Sequence, residues 1–353
     1  MFHLNVCIYT DPHWSQNSSI VRSRGTKYST RLENLIQSIN WVEQLAWDTG
    51  SECVICCGDF FDASILNAEE VSALQEIRWA PLSHLFLTGN HETNVSSLEY
   101  STSDLFKLCP NSCVIKTPQQ YFIENTTVEF CFLPYVLERD RKKISDYFGP
   151  QTSNRVMFSH NDIKDVQYGS FLSTEGFEVT DIEQNCNLYF NGHIHHCCNV
   201  TPKILNVGNL TGQNFTEDAT KYEHCAVVLD TETLTYKLYK NPYALHFYKL
   251  DLSEYSSIEN ITEELSKLSV NAVATISVSE SMAIQAREVL ENLKKDHIQE
   301  YRLLIKRTTT DVVSDESYSF NEVDHLKQFE KYILTTFEHS NVLKEELQAI
   351  MKG

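Results

Sequence analysis

Ten residues, Cys53-Val-Ile-Cys-Cys-Gly-Asp-Phe-Phe-Asp62, constrain this chain more than any other stretch. A short apolar run of β-favouring residues stops at a glycine and presents two carboxylates, the pattern of a buried strand that ends in a polar loop. The same event recurs along the first two hundred residues. Leu4–Thr10 ends at Asp11-Pro12-His13, where Pro12 prevents the strand from continuing. His84–Thr88 ends at Gly89-Asn90-His91-Glu92, Arg155–Ser159 at His160, and Asn187–Asn191 at Gly192-His193-Ile194-His195. Helical spacing fills the gaps. Leu32, Leu35, Ile39, Val42 and Leu45 form one stripe over 30–48 before Gly50, and a second helix is expected over 68–79. Strands alternating with helices, with ligand-type residues at the strand ends, predict a layered α/β fold whose site lies outside the carboxyl ends of the strands.

Composition narrows the functional classes. At 353 residues the chain has room for one large domain and a smaller one. A net charge of −19 argues against a free-standing nucleic-acid binder with a basic face, but not against a nuclease whose metals and partner supply the positive field. There is no run of eighteen apolar residues, so no membrane span is expected, and the N-terminus reads as a first strand rather than a signal peptide. The eleven cysteines include the adjacent pairs Cys56-Cys57 and Cys197-Cys198, which suits reduced thiols in a cytoplasmic protein. Cys53 and Cys56 have C-x-x-C spacing without a second pair to complete a zinc site, and read as small strand residues.

Further strands are expected over 127–133, 204–207, 225–230 and 234–239, the last two as a hairpin. After Asn241-Pro242 the pattern changes to a compact β-α-β-α-β unit. The chain therefore divides into 1–242, a small α/β domain at 243–308, a polar linker at 309–319, and a helical segment at 320–353 with stripes Leu326/Phe329/Ile333/Phe337 and Leu343/Leu347/Ile350. Those terminal stripes either pack back on the domain or form a partner-docking hairpin. The 32–45 stripe is either a core face or an interface. The Ser15–Ser29 stretch, with Arg22, Arg24 and Lys27, is either a solvated loop or a phosphate-facing one.

Taken together, Asp11, His13, Asp59, Asn90, His160, His193 and His195 make a mixed oxygen and nitrogen donor set suited to manganese, iron or zinc rather than calcium. The set exceeds the three or four protein ligands of a single catalytic ion and suits two ions bridged by a carboxylate, spaced for in-line displacement at phosphorus.

In this order the motifs, Asp11-Pro-His13, Gly58-Asp59-Phe-Phe-Asp62, Gly89-Asn90-His91-Glu92, His160 and Gly192-His193-Ile-His195, resemble those of the calcineurin-like metallophosphoesterases. The resemblance implies a β-sandwich flanked by helices. It implies Asp11, His13, Asp59 and His195 around one divalent ion and Asp59, Asn90, His160 and His193 around a second, with Mn2+ foremost and Mg2+, Fe2+ or Zn2+ as alternatives. His91 resembles the family's non-ligand catalytic histidine, and Asp62 stands where it would orient His91. Three activities compete: a DNA nuclease of the SbcD or Mre-eleven type, a phosphomonoesterase such as a protein phosphatase, and a metal-free scaffold. A scaffold would have lost ligands. A serine/threonine phosphatase would carry arginines where Ala63 and Thr88 stand. The α/β capping domain and terminal helices resemble the SbcD layout, in its compact phage form. That layout implies a DNA substrate, an SbcC-type coiled-coil ATPase partner docked by 320–353, and a homodimer within the complex.

Overall fold

The structure, a computed structural model, describes residues 4–17, 27–94, 97–122, 128–151, 153–168, 171–217, 219–294 and 298–306. The expected linker at 309–319 and helical segment at 320–353 lie outside the described residues, as do Arg22 and Arg24. Among the described residues, no helix is long and apolar enough to cross a membrane.

Two six-stranded sheets form an α/β core. The first runs in the order Thr235–Lys240, Cys225–Asp230, Asn5–Tyr9, Ser51–Cys56, Ser83–Leu87, Ser112–Ile115. Its last four strands are parallel, so their carboxyl ends share one edge, while Cys225–Asp230 runs antiparallel to Asn5–Tyr9. The second runs Cys198–Thr201, Ile204–Asn206, Leu188–Asn191, Asn154–Ser159, Val128–Leu133, Gln119–Phe122. Its four inner strands are also parallel.

The period-2 alternation of each central strand decides which layer a residue joins. Cys7 and Tyr9 pack outward against the helix Thr30–Asp48 with Leu32, Leu35, Ile39 and Val42. Val6 and Ile8 turn the other way and meet Phe130, Phe158 and Phe190 between the sheets. The 32–45 stripe is thus a core face, buried to 9% exposure or less at all five positions. The outer side of the second sheet is covered by the short helices Ile144–Phe148 and Val179–Asn185, through Ile144, Phe148 and Ile182. The order is helix, sheet, sheet, helix.

Ser29 caps the helix Thr30–Asp48 by accepting from the Leu32 N–H, and Gly50 ends it at φ +63°. The helix expected over 68–79 is shorter. It runs Ala68–Ala73 with a 3-10 turn Leu74–Glu76, then becomes extended at Ile77. Side chains of the neighbouring helix explain the stop: Asn40 accepts from the Arg78 N–H and Glu43 from the Ala80 N–H, capturing donors that a continuing helix would have used.

Residues 246–306 form a parallel three-stranded sheet, His246–Asp251, Ala272–Ser279 and Ile298–Lys306, with helices Ile258–Ser266 and Ala283–Leu293 around their own core of Ile261, Leu265, Ile276 and Leu290. Phe247 and Val273 join Leu245 and Phe215 in a small separate cluster.

Phe158 is fully buried between the sheets. Phe158→Ala is expected to destabilise the protein by about 3–5 kcal/mol in denaturant unfolding, whereas Tyr121→Ala, at a half-exposed edge position, should stay within about 1 kcal/mol.

Candidate metal centre

Every predicted ligand sits within four residues beyond the carboxyl end of a parallel strand. The loops hold one another. Asp11 N–H donates to Gly58 O at 3.1 Å, His13 N–H to Asp59 O at 3.1 Å and Trp14 N–H to Phe60 O at 2.7 Å, prolonging the ladder between the first two strands past their ends. Tyr135 N–H donates to Thr88 O at 2.9 Å and ties the second sheet to the first. Two glycines are fixed by close approach. A Cβ on Gly58 would lie 2.2 Å from His160 Nδ1, and one on Gly89 would lie 2.1 Å from Asp59 Oδ1.

Among the described residues, eight non-glycine positions have positive φ, and four of them are predicted ligands: Asp11 and His13 at 50°, Asp59 at 48° and His193 at 75°. Left-handed backbone costs about 1–2 kcal/mol per residue, so its concentration here marks a site whose geometry is imposed by its surroundings.

The two buried aspartates divide their oxygens alike. Asp11 Oδ2 accepts from Thr10 Oγ1 and from the His193 N–H at 3.0 Å, while its Oδ1 has no hydrogen-bond partner and faces His13 Nε2 at 3.6 Å and His195 Nε2 at 3.9 Å. Asp59 Oδ1 accepts from the His91 N–H at 3.0 Å, while Oδ2 faces His160 Nε2 at 3.1 Å and His13 Nε2 at 3.9 Å. Asn90 Oδ1 lies 3.2 Å from His160 Nε2 and 2.9 Å from His193 Nδ1. Ligand atoms of Asp11, His13 and His195 form one nest and those of Asp59, His160 and His193 another, with Asn90 in the second and Asp59 Oδ2 between the two.

The imidazole partners decide what these nests accept. His13 Nδ1 meets Asp62 Oδ1 at 3.0 Å, His195 Nδ1 meets Glu217 Oε1 at 3.2 Å, His160 Nδ1 meets Cys57 O at 2.7 Å, and His193 Nε2 meets Asp162 Oδ2 at 3.3 Å. Carboxylates and carbonyls only accept, so each ring when neutral puts its proton there and turns the lone pair of its other nitrogen into the cluster. There the lone pairs meet further acceptors: His13 and His195 face each other Nε2 to Nε2 at 2.9 Å. Acceptor against acceptor in a buried site is tolerable only with positive charge between them.

The titration behaviour reports the same demand. Burial pulls the His13 pKa down, but the nearby carboxylates of Asp11, Asp62 and Asp59 outweigh it and raise it to about 10. His160, also lowered by burial, is raised to about 9 by Asp59 and Asp11. Burial pushes Asp59 up, yet His160 and His13 hold it well below the usual carboxylate range, and Asp11 shifts the same way. The residues fit a divalent cation on three counts: the donor types, the orphaned Asp11 oxygen and the outward lone pairs.

His91 stands at the rim with 43% of its side chain exposed, its ring 4.7 Å from that of His13. Its Nδ1 donates to Asp62 O at 3.1 Å, with the Asp62 carboxylate at 3.6 Å. The Asp62 carboxylate is therefore closer to His13 than to His91, and the backbone of Asp62 does most of the orienting of His91.

Four residues that the sequence analysis gave no role support the site. Glu217, 4% exposed, is anchored by Asn209 Nδ2 at 2.9 Å and the Gln213 N–H at 3.0 Å while it holds His195. Asp162 holds His193, and its position directly after His160-Asn161 was the one available signal. Glu92 accepts from the Phe61 and Gly89 N–H groups at 3.1 and 2.9 Å, binding the second loop to the third. Arg31 is fully buried and donates to Pro12 O at 2.9 Å and Gly212 O at 2.8 Å, so the first helix pins the first ligand loop. On the basic stretch before that helix, Lys27 is ion-paired with Glu76.

No family model matches the sequence, and no curated protein matches it. Among solved structures, TT1561 of Thermus thermophilus is similar at 9% identity with a TM-score of 0.38, over 68% of this chain and 99% of that one. The NAD nucleotidase NadN of Haemophilus influenzae is similar at 11% identity and TM-score 0.34, over 85% of this chain, which spans 57% of that protein. The calcineurin-like phosphoesterase YfkN of Bacillus subtilis is similar at 10% identity and TM-score 0.33, over 67% and 88% of the two chains.

Glu217→Gln and Asp162→Asn are each expected to weaken Mn2+ binding by about 10–100-fold without unfolding the protein, measured by calorimetric titration. A second expectation concerns pH. The metal-binding form needs neutral imidazoles, whereas His13 and His160 hold protons below about 10 and 9 in the metal-free protein. Binding at pH 7 should therefore release protons, seen as a buffer-dependent binding heat, and affinity should rise with pH up to that range.

Proposed function

We propose that this chain is a two-metal phosphodiesterase acting on DNA, with manganese as the preferred ion. The observation that carries the reading is the pair of adjoining nests with Asp59 Oδ2 between them, each lined by lone pairs that lack a donor. Asp11, His13, Asp59 and His195 would hold one ion, and Asp59, Asn90, His160 and His193 the other. Ions held there supply an acidified water as nucleophile and neutralise charge on the phosphoryl oxygens.

The chain's own groups do the rest. His91 has its Nδ1 committed to Asp62, which leaves Nε2 directed away from that bond. The Asp62 carboxylate, 3.6 Å from Nδ1, is the main cause of a raised His91 pKa, against the effect of burial, and favours a protonated ring that donates to the departing oxygen. Asp62 and Glu217 keep His13 and His195 in the tautomers that turn lone pairs inward. Backbone donors hold the non-ligand oxygens of buried Asp11 and Asp59, which fixes the ligand oxygens in place, so little rearrangement is needed when an ion binds.

The choice of DNA over a phosphomonoester rests on the sequence layout: Ala63 and Thr88 in place of phosphate-binding arginines, and the α/β unit after the core. The same layout supports an SbcC-type coiled-coil ATPase as partner and a homodimer within the complex.

Purified protein, with its ATPase partner present, is expected to hydrolyse DNA phosphodiester bonds with Mn2+ and to stop on chelation. His91→Ala should lower the rate by about 10²–10⁴-fold with metal content unchanged, and Asp59→Asn should remove both activity and metal. Cleavage confined to phosphomonoesters would show that the nuclease assignment is wrong.

A further inference from the structure

Beside the metal centre lies an open groove of about 490 Å3 that includes Lys116, Tyr135, Arg139, Arg141, Lys142 and Tyr147 in its lining. None of the predicted ligands is in its lining, and Tyr135 connects it to the site. The Tyr135 ring is 5.9 Å from that of His193, and the Tyr135 and Val136 N–H groups are fixed by Thr88 O and Asn161 Oδ1 at 2.9 and 3.0 Å. The groove therefore starts on the backbone that carries the ligand loops, not on a free surface loop.

Its chemistry is opposite to that of the whole chain. Four of its lining side chains are cationic and one, Asp140, is acidic, in a protein of net charge −19. Two of the four cations are structural. Lys116 is paired with Asp104 at 2.9 Å, and Arg141 is ion-paired with Glu138 and lies 5.1 Å from the Phe177 ring. The Arg141 side chain is only 8% exposed, and its Nε has no hydrogen-bond partner. The other two cations are at the surface. Arg139 is 74% exposed and reaches Asp140 only at 3.6 Å, and Lys142 is exposed with its backbone N–H held by the Tyr147 hydroxyl at 3.0 Å. Cations at the rim, a buried arginine with a spare donor, and two tyrosines are the elements with which proteins hold a single nucleic-acid strand: charge along the backbone and rings under the bases.

We infer that this groove binds a single polynucleotide strand leading into the metal centre, with Arg139 and Lys142 on its phosphates and Tyr135 stacked on a base beside His193. This rests on the phosphodiesterase reading and names how its substrate is held.

The test is fluorescence anisotropy of a labelled oligothymidylate on the full chain at low salt, with calcium as the only divalent ion. The double variant Arg139→Gln/Lys142→Gln should bind at least tenfold more weakly. Its plot of log affinity against log salt should be shallower by about 1.4, the contribution of two phosphates on single-stranded DNA. The matched control Lys237→Gln/Lys249→Gln, which removes the same charge from exposed positions outside the groove, should bind like wild type. Equal losses in the two double variants, an unchanged slope, or no measurable wild-type binding would overturn the inference. Hydrolysis of bis(4-nitrophenyl) phosphate by the wild-type chain, measured separately in Mn2+, reports on the phosphodiesterase reading by itself. If that ester is cleaved while the groove variant binds normally, the groove alone is refuted. If it is not cleaved, the enzymatic reading fails whatever the binding shows.

Discussion

The constraint on which the rest of this structure depends is the convergence of hydrogen-bond acceptors that have no donor among themselves. Two buried carboxylates, an amide oxygen and four imidazoles tied back by their far nitrogens occupy one small volume. Such an arrangement is self-repelling, and burial removes the water that would screen it. Protons are one remedy, which the raised pKa values of His13 and His160 favour in the metal-free state. A divalent cation is the better one, because it satisfies several lone pairs at once and leaves the imidazoles neutral. The site is thus a high-energy arrangement that binding relieves, and the fold around it must be stable enough to hold it open.

That burden explains the density of anchoring around the loops. Left-handed backbone at Asp11, His13, Asp59 and His193 persists only because neighbours over-determine it. The first two ligand loops pair like a continued parallel ladder, Glu92 clamps the second to the third, and Arg31 grips the first from beneath. Arg31 is itself fully buried, and burial lowers its pKa to about 10 even though Glu217 and Asp62 oppose the shift. The guanidinium supplies a fixed positive charge below the acidic cluster, so one side chain both positions a loop and offsets part of the repulsion above it.

Much of this was legible in the chain because strand periodicity and strand-end chemistry coincide. Val6, Ile8 and Cys7, Tyr9 alternate between two cores, which is the pattern of a strand buried on both faces, and Asp11 follows as soon as the pairing ends. The seven ligand-type residues converge because parallel strands bring their carboxyl ends to one edge. The supporting groups were not legible for the opposite reason. Glu217 lies in a loop with no periodic signal, and Arg31 reads as an ordinary polar position inside an amphipathic helix. The cationic run around Arg139 is interrupted by acids and carries no periodic signal. Helix 144–148 and helix 179–185 are too short to show a full apolar stripe.

Asp62 shows how far a strand-end motif can and cannot be read. The spacing Gly58-Asp59-Phe60-Phe61-Asp62 puts two carboxylates on one loop, and both reach the centre. Asp59 turns Oδ2 into the cluster. Asp62 remains 29% exposed at its side chain and uses a single oxygen for His13 Nδ1 at 3.0 Å and Gln213 Nε2 at 3.1 Å. His91 takes its main bond from the Asp62 carbonyl. Through one residue, then, the carboxylate sets the tautomer of a ring that faces the metal nest and the backbone sets the direction of the ring at the rim. Loss of the carboxylate would act on both rings: it frees His13 Nδ1 and so loosens the nest of Asp11, His13 and His195, and it removes the largest contribution to the raised His91 pKa while leaving the bond to the carbonyl in place. The motif therefore couples metal holding and proton donation through one carboxylate, and the carbonyl fixes only the direction of the His91 ring.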